Sequence, residues 1–175
     1  GLITAILASS MALVMTDLKR VLAYSTVSHL GFMMMALGLG GFTAGMFHLL
    51  THGFAKALLF LGAGSVDHGT GGKRDIRELG RLWRRMPITA VSFAIGALAL
   101  GGIPPLSGFF SKDEVLYHSL MDGNIIFWGM GISAALLTAV LLIMHRRLWD
   151  NPAMVVLGLS VACCGGLHLL RTLLI

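Results

Sequence analysis

Long apolar runs alternate with short polar or basic segments along most of this sequence. The runs cover residues 1–15, 21–40, 42–66, 88–110 with a continuation to 120, 125–144 and 153–170. About 20 helical residues cross the hydrocarbon core of a bilayer, and only helices and closed barrels satisfy their backbone there. We therefore predict an all-α, polytopic membrane helix bundle with about six transmembrane segments. We expect the first run to be the end of a helix that begins before Gly1.

The composition agrees with a membrane protein. Hydrophobic residues make up 56% of the chain and charged residues 12%, whereas an average soluble domain contains about 25% charged residues. A net charge of +5 does not indicate nucleic-acid binding here, because the basic residues lie in short loops between apolar runs. Cys163 and Cys164 are adjacent within an apolar run, so we expect packing residues and not a disulfide framework.

The distribution of basic residues predicts the orientation. If successive segments alternate in direction, the loops 16–20, 67–86 and 145–151 share one side of the membrane. Most of the 13 lysines and arginines lie in these loops, which by the positive-inside rule are cytoplasmic in a plasma (inner) membrane. They are Lys19, Arg20, Lys73, Arg74, Arg77, Arg81, Arg84, Arg85, Arg146 and Arg147.

Three polar residues recur every four positions inside the run 42–66. His48, His52 and Lys56 therefore share one face of a helix. Lys56 lies near the middle of the run, where a charge costs ~2.5–3.5 kcal/mol even on insertion scales. This pattern predicts a proton or ion path, and the alternative is a polar stripe that only hydrogen-bonds to neighbouring helices. In the run 21–40, Ser25 and His29 likewise share a face.

The segment from residue 88 to residue 120 is too long for one straight crossing. Gly101, Gly102, Pro104 and Pro105 interrupt it, because glycine has low helix propensity and proline removes backbone donors. We expect one helix to end near Gly101 and a second to start after the prolines. Either Pro105 lies in the first turn of this second helix, or Ser111 and Glu114 form a capping box that restarts it later.

Lys112 directly follows this predicted break. Non-helical backbone at membrane depth needs protein or water around it, and discontinuous helices expose backbone groups that can serve ions. Lys112 is thus drawn towards mid-membrane depth, or it lies with Asp113 and Glu114 at the non-cytoplasmic surface. The sequence spacing leaves both alternatives open.

Redox and metal sites are not expected in this chain. His48 and His52 have the spacing of two metal ligands on a helix, but they lack an intervening glutamate and an evident third ligand. The glycine pairs at 38–40 and 62–64 lie within membrane runs and not after a strand, so they do not indicate a dinucleotide site. We expect no metal, haem or iron–sulfur cluster.

Three segments carry a family resemblance: TDLKRVLAYSTVSHLGFM (16–33), FHLLTHGFAKALLFLGAGSV (47–66) and ALALGGIPPLSGFFSKDEVL (97–116). They resemble the antiporter-like subunits of respiratory complex I, and most closely subunit L (chain 5) of NADH-quinone oxidoreductase. The resemblance implies that residues 1–144 are the second of two inverted repeats of such a core. Residues 145–175 would be a C-terminal membrane segment with a weak match.

The resemblance also implies roles for single residues. Lys56, His48 and His52 would belong to a polar axis through the membrane centre, and Lys112, with Asp113 beside it, would be the terminal proton-carrying lysine. The supporting residues would be Asp17 and Lys19 in a charged turn, His29, which replaces a more usual glutamine, and Glu114.

The implied function is proton translocation coupled to quinone reduction elsewhere, within the enzyme NADH-quinone oxidoreductase. NADH, FMN, iron–sulfur clusters and quinone would be bound by partner subunits, with no cofactor in this chain. The partners would be other membrane-arm subunits and the lipid bilayer. Asp67-His68 and the segment RDIRELG (74–80) also resemble the large subunit of multisubunit Na⁺/H⁺ antiporters. That subunit and the membrane subunit of a membrane-bound hydrogenase are the alternatives.

Overall fold

Every element in the described part of the chain is a helix, as the sequence predicts. The computed structural model describes residues 1–79, 82–102, 104–121, 123 and 129, so the predicted segments 125–144 and 153–170, with Cys163 and Cys164, lie outside the described residues. The helices are α1 (Leu2–Val14), α2 (Leu18–Gly38), α3 (Phe42–Gly69), α4 (Leu82–Arg85), α5 (Pro87–Gly101) and α6 (Ser107–Met121).

Two of these helices are long and apolar enough to cross a membrane. α2 has 21 residues and α3 has 28, and each contains an apolar stretch with a mean hydropathy of 1.4. α1 and α5 are shorter apolar helices. The apolar runs 21–40 and 42–66 therefore correspond to α2 and α3, and the run 88–110 is divided between α5 and α6.

The ends of α2 and α3 differ from the prediction. α2 begins at Leu18, because the Asp17 side chain caps it by accepting a hydrogen bond from the backbone nitrogen of Arg20. Such a cap satisfies a backbone donor that a helix start leaves without a partner. α3 continues to Gly69, so the predicted start of the basic loop at Asp67 is wrong. It ends where Gly71 and Gly72 adopt positive φ angles of 71° and 88°, which glycine tolerates best.

α2 packs closely against α1 through small residues. A Cβ atom at Gly31 would lie 2.7 Å from the backbone nitrogen of Ala5, so only glycine permits this approach. Ser28 on α2 also donates a hydrogen bond to the carbonyl oxygen of Ala5, at 2.9 Å. Small residues and interhelical hydrogen bonds are the usual means of helix association in a membrane.

The polar segment after α3 folds back onto the start of α2. The backbone nitrogen of Leu18 donates to the carbonyl oxygen of Arg74 at 3.1 Å, and that of Ile76 donates to Thr16 at 2.8 Å. Ile76 and Leu79 are buried. The basic segment is therefore anchored to the bundle.

The predicted interruption between residues 101 and 105 is present. α5 ends at Gly101, and Gly102 caps it in the left-handed conformation, with a φ of 81°. Its backbone nitrogen donates to the carbonyl oxygens of Leu98 and Ala99 at 3.1 and 3.2 Å, which is a common way to end a helix.

α6 begins at Ser107, directly after the segment that contains Pro104 and Pro105. The capping-box alternative is therefore wrong, because Ser111 lies in the second turn of α6 and Glu114 further along it. Pro105 also precedes the helix and is not part of its first turn. A proline disfavours the helical conformation in the residue before it. The helix can therefore begin only after Pro104 and Pro105.

Candidate polar axis within the helix bundle

The polar faces of α2 and α3 meet inside the bundle. His48, His52 and Lys56 on α3 are only 2%, 5% and 5% exposed, and His29 on α2 is 3% exposed. Because the α3 residues are four positions apart, their side chains follow one another along the same face. The predicted position of Lys56 in the interior of the bundle is confirmed, and its role stays a prediction.

The Lys56 amine is held by neutral oxygen atoms. Its Nζ donates to the carbonyl oxygen of Leu22 at 2.9 Å and to Oγ of Ser25 at 2.6 Å. Within the described residues, no carboxylate forms an ion pair with Lys56. Since no opposite charge fixes the amine in its protonated form, the site can accommodate either form of the amine.

Three histidine rings form a cluster with His29 in the middle. His29 Nδ1 lies 3.0 Å from His48 Nε2, and the His29 ring centroid lies 4.8 Å from that of His52, with the planes inclined by 29°. Nε2 of His52 is buried and has no hydrogen-bond partner among the described residues. His29, which the sequence marks only as supporting, thus contacts both α3 histidines.

The cluster continues onto α6 through Ser111, which the sequence indicates only as a candidate helix cap. His48 Nδ1 lies 2.9 Å from Oγ of Ser111, and Oγ1 of Thr51 donates to that oxygen at 3.1 Å. Ser111 is fully buried. Hydrogen bonds therefore run from α6 through His48 on α3 to His29 on α2. No spacing within α6 distinguishes Ser111, because its partners lie on another helix.

Lys112 lies at the helix break and is half-buried. Its Nζ donates to the carbonyl oxygen of Leu100 at 2.6 Å, in the last turn of α5. The carbonyl end of a helix is a favourable site for a cation. This position favours the interior alternative for Lys112 over the solvated helix start. Asp113 beside it is half-buried and Glu114 is exposed.

A second polar cluster lies at the other end of the α3 face. Lys19 donates to Asp67 Oδ2 at 2.5 Å, and Arg74 Nε donates to the same oxygen at 3.2 Å. Asp17 caps α2 instead of joining these ion pairs. The sequence grouped Asp17 and Lys19 with the Lys56 axis as supporting residues. Buried Leu22 on α2, Leu59 and Ala63 on α3 and Phe93 on α5 form an apolar cluster, which lies along α3 between Lys56 and Asp67.

The polar segment after α3 carries its own ion pair. The guanidinium of Arg77 donates to both carboxylate oxygens of Asp75, at 3.2 and 3.0 Å. These hydrogen bonds hold the pKa of the Asp75 carboxyl below its ordinary value. Asp75 therefore offsets part of the positive charge of this segment.

A metal site is not present among the residues that the structure describes. No group of three or more histidine, cysteine, aspartate or glutamate residues has a suitable arrangement there. The His29 ring is instead stacked on the rings of His48 and His52, and the nitrogen atoms of His48 face His29 and Ser111.

Comparison with known families gives a match over most of the chain. The family described as NADH:quinone oxidoreductase/Mrp antiporter, transmembrane, matches residues 1–138. A NAD(P)H-quinone oxidoreductase subunit 5 of Paulinella chromatophora is 50% identical over 147 residues, which are 79% of this chain and 22% of that protein. NADH-quinone oxidoreductase subunit L of Campylobacter jejuni is 50% identical over 139 residues, 79% of this chain and 23% of that protein. The chain thus spans less than a quarter of the length of these relatives.

Two solved membrane complexes contain chains of similar structure. A chain of the Mrp complex from a Dietzia species matches with a TM-score of 0.76 and 30% identity, covering 83% of this chain and 27% of that one. A chain of an archaeal membrane-bound sulfane sulfur reductase matches with a TM-score of 0.78 and 26% identity, covering 94% and 37%.

Proposed function

Because this chain belongs to the NADH:quinone oxidoreductase/Mrp antiporter transmembrane family, we propose that it is part of a proton-translocating subunit of NADH-quinone oxidoreductase. Its protons move along Lys56 and the histidine cluster, and quinone reduction in other subunits drives them. Partner subunits of the membrane arm hold NADH, FMN, the iron–sulfur clusters and quinone.

The observation that carries this proposal is the arrangement around Lys56. A buried amine, whose hydrogen-bond partners in the described part of the chain are neutral oxygens at 2.9 and 2.6 Å, lies on the same helix face as two histidines. Burial disfavours the charged form of an amine in general, and imidazole both accepts and donates protons near neutral pH. Such a row of groups can exchange protons with each other and with water.

Lys112 is the terminal carrier in this proposal. Its amine contacts the last turn of α5 beside the helix break, where backbone groups are exposed and water can gather. A proton that arrives there is close to the side of the membrane opposite the basic loops. Those loops lie in the cytoplasm and the bundle in the plasma (inner) membrane, as the positive-inside rule indicates.

A cation exchanger without redox coupling is the second candidate. The structural likeness to a chain of the Mrp complex, at 30% identity and a TM-score of 0.76, supports it. In that case the same Lys56 axis exchanges sodium for protons. The membrane subunit of a membrane-bound hydrogenase is the other alternative to NADH-quinone oxidoreductase.

Replacing Lys56 by glutamine in the full-length subunit tests the proposal. Glutamine keeps a hydrogen-bonding end but carries no exchangeable charge, so proton uptake per NADH oxidised in proteoliposomes should fall by roughly half or more. Leu61→Met, at an exposed position of α3 (75% exposed), is the control and should pump normally. Parental pumping by Lys56→Gln would contradict the proposal, and transport that requires sodium would favour the exchanger.

A further inference from the structure

Ser111 is a buried polar residue of the site, but it is not part of the proposed proton path through Lys56, the histidine cluster and Lys112. Its Oγ is 2.9 Å from His48 Nδ1, 3.1 Å from Thr51 Oγ1 and 3.4 Å from the carbonyl oxygen of Gly108. A hydroxyl group has one hydrogen to donate and two lone pairs to accept with. These three neighbours therefore match its full hydrogen-bonding capacity.

The contacts of Ser111 permit two complete hydrogen-bond arrangements. In the first, Ser111 donates to Nδ1 of His48, and Nε2 of His48 donates to Nδ1 of His29. In the second, His29 donates to His48, Nδ1 of His48 donates to Ser111, and Ser111 donates to Gly108. Thr51 donates to Ser111 in both. A neutral imidazole carries one N–H, so both arrangements leave all four groups uncharged.

We propose that Ser111 is a proton-relay residue that connects α6 to the histidine cluster, an inference that rests on the proposed function. One proton enters from water at the half-buried Thr51 hydroxyl. Thr51 passes its own proton to Ser111, Ser111 passes its proton to Nδ1 of His48, Nε2 of His48 passes its proton to Nδ1 of His29, and Nε2 of His29 releases its proton to water. The proton count of the four groups is unchanged. Once the Ser111 hydroxyl has rotated towards Gly108 and the Thr51 hydroxyl towards Ser111, the first arrangement has become the second.

The return to the first arrangement requires the Ser111 hydroxyl to rotate back towards His48. It also requires His48 and His29 each to give up the proton on Nδ1 and take one on Nε2, by exchange with water. Gly108 provides the partner that holds the rotated hydroxyl. A Cβ atom at Gly108 would lie 1.8 Å from the carbonyl oxygen of Ala99, so this turn of α6 lies directly against α5. The carbonyl of Gly108 is thereby fixed beside Ser111.

Ser119 provides a matched control on the same helix. It is also fully buried, and its Oγ donates to a carbonyl oxygen three residues earlier, that of Leu116, at 2.7 Å. The same relation holds between Ser111 and Gly108. Ser119→Ala therefore removes a buried hydroxyl of equal size and similar local bonding, but one with no histidine contact among the described residues.

The test measures protons pumped per NADH oxidised by the complex that contains the full-length subunit. Ser111→Ala should lower this ratio by roughly half or more, as Lys56→Gln should, since loss of a positioned proton-transfer group slows that transfer by about 10²–10⁴. Ser111→Thr keeps the hydroxyl and should recover most of the activity, and Ser119→Ala should pump normally.

Parental pumping by Ser111→Ala, with Lys56→Gln defective, would overturn the relay and leave the proposed function intact. Parental pumping by Lys56→Gln would overturn both. If Ser111→Ala does not assemble, Thr51→Val decides, because it removes the hydroxyl at which the proton enters. Its pumping should fall in the same way, and a parental ratio would overturn the relay.

Discussion

Lys56 is a residue whose charged form is energetically unfavourable in a bilayer and whose amine is the centre of the proposed proton path. A charged lysine at the centre of a membrane helix costs ~2.5–3.5 kcal/mol on insertion scales. The structure offsets this cost with two neutral acceptors, Leu22 and Ser25, instead of a carboxylate. A carboxylate would stabilise the protonated amine strongly and oppose its release. Neutral acceptors suit a group that must alternate between two forms.

The position of Lys56 and its histidines was predictable, whereas Ser111 was not. Spacing by four on a helix places residues on one face regardless of tertiary structure, and an apolar run leaves few alternatives for that face. Ser111 acquires its importance from His48, 63 positions away along the chain. Nothing within the sequence near Ser111 distinguishes it from a helix cap.

At Lys112, loss of the amine should impair pumping without preventing assembly. Lys112→Met keeps an unbranched side chain but removes the donor to Leu100. The protons pumped per NADH should fall by roughly half or more, because a lysine at a discontinuous helix commonly marks an ion pathway. The complex should be recovered in normal amounts. A normal ratio would indicate that Lys112 only stabilises the end of α5.

At the scale of the helices, the interruption between α5 and α6 was predicted correctly, but both predictions for the first turn of α6 were wrong. Glycine and proline determine where α5 must end, so the positions of Gly101 and Gly102 followed from local chemistry. The restart of α6 depends on its packing against α5, which brings Gly108 directly against the backbone of Ala99. A local capping pattern at Ser111 and Glu114 carried no information about that contact.

The contact of α2 with the end of α3 through Lys19 and Asp67 should stabilise the bundle. The Asp67 carboxylate is 15% exposed and joins two basic groups, Lys19 and Arg74. Asp67→Asn and Lys19→Met should each lower the melting temperature of the detergent-solubilised complex by roughly 1–3 °C. Asp67→Asn also removes the Arg74 contact, so the double variant should melt close to Asp67→Asn alone, because the Lys19–Asp67 contact is already lost there.

A second ion pair provides the control for this measurement. Arg77 and Asp75 lie in the polar segment after α3, and the Arg77 side chain is 74% exposed. Exposed ion pairs contribute little to stability, so Arg77→Met should leave the melting temperature unchanged. If the effects of Asp67→Asn and Lys19→Met simply added, the two residues would not be coupled.

In the whole molecule, two polar regions are separated by apolar packing. The histidine cluster and Lys56 occupy the middle of α3, and the Asp67 ion pairs lie eleven residues further, about 16 Å along the helix. Leu59 and Ala63, both buried, lie between them on α3. In the proposed path, protons from the side of the basic segment must therefore pass an apolar layer, which a change in hydration or packing would have to open.

The proposed orientation places the segment 70–79 in the cytoplasm. A cysteine at Lys73, whose side chain is 58% exposed, should react with a membrane-impermeant maleimide in inside-out vesicles only. A cysteine at Gly38 should react in right-side-out vesicles, because a Cβ there meets no atom within 4 Å and the position lies at the opposite end of α2. Labelling of position 73 from the outside would contradict the orientation.

The most direct measurement is the proton-to-NADH ratio of the complex that carries Lys56→Arg in the full-length subunit, compared with Lys56→Gln. Arginine preserves the positive charge and can donate to Leu22 and Ser25, but it does not release its proton in the physiological range. If Lys56 exchanges protons, the arginine variant should assemble normally and pump as poorly as the glutamine variant. Parental pumping by Lys56→Arg would show that the site needs only a fixed positive charge, and the proton path could not include Lys56.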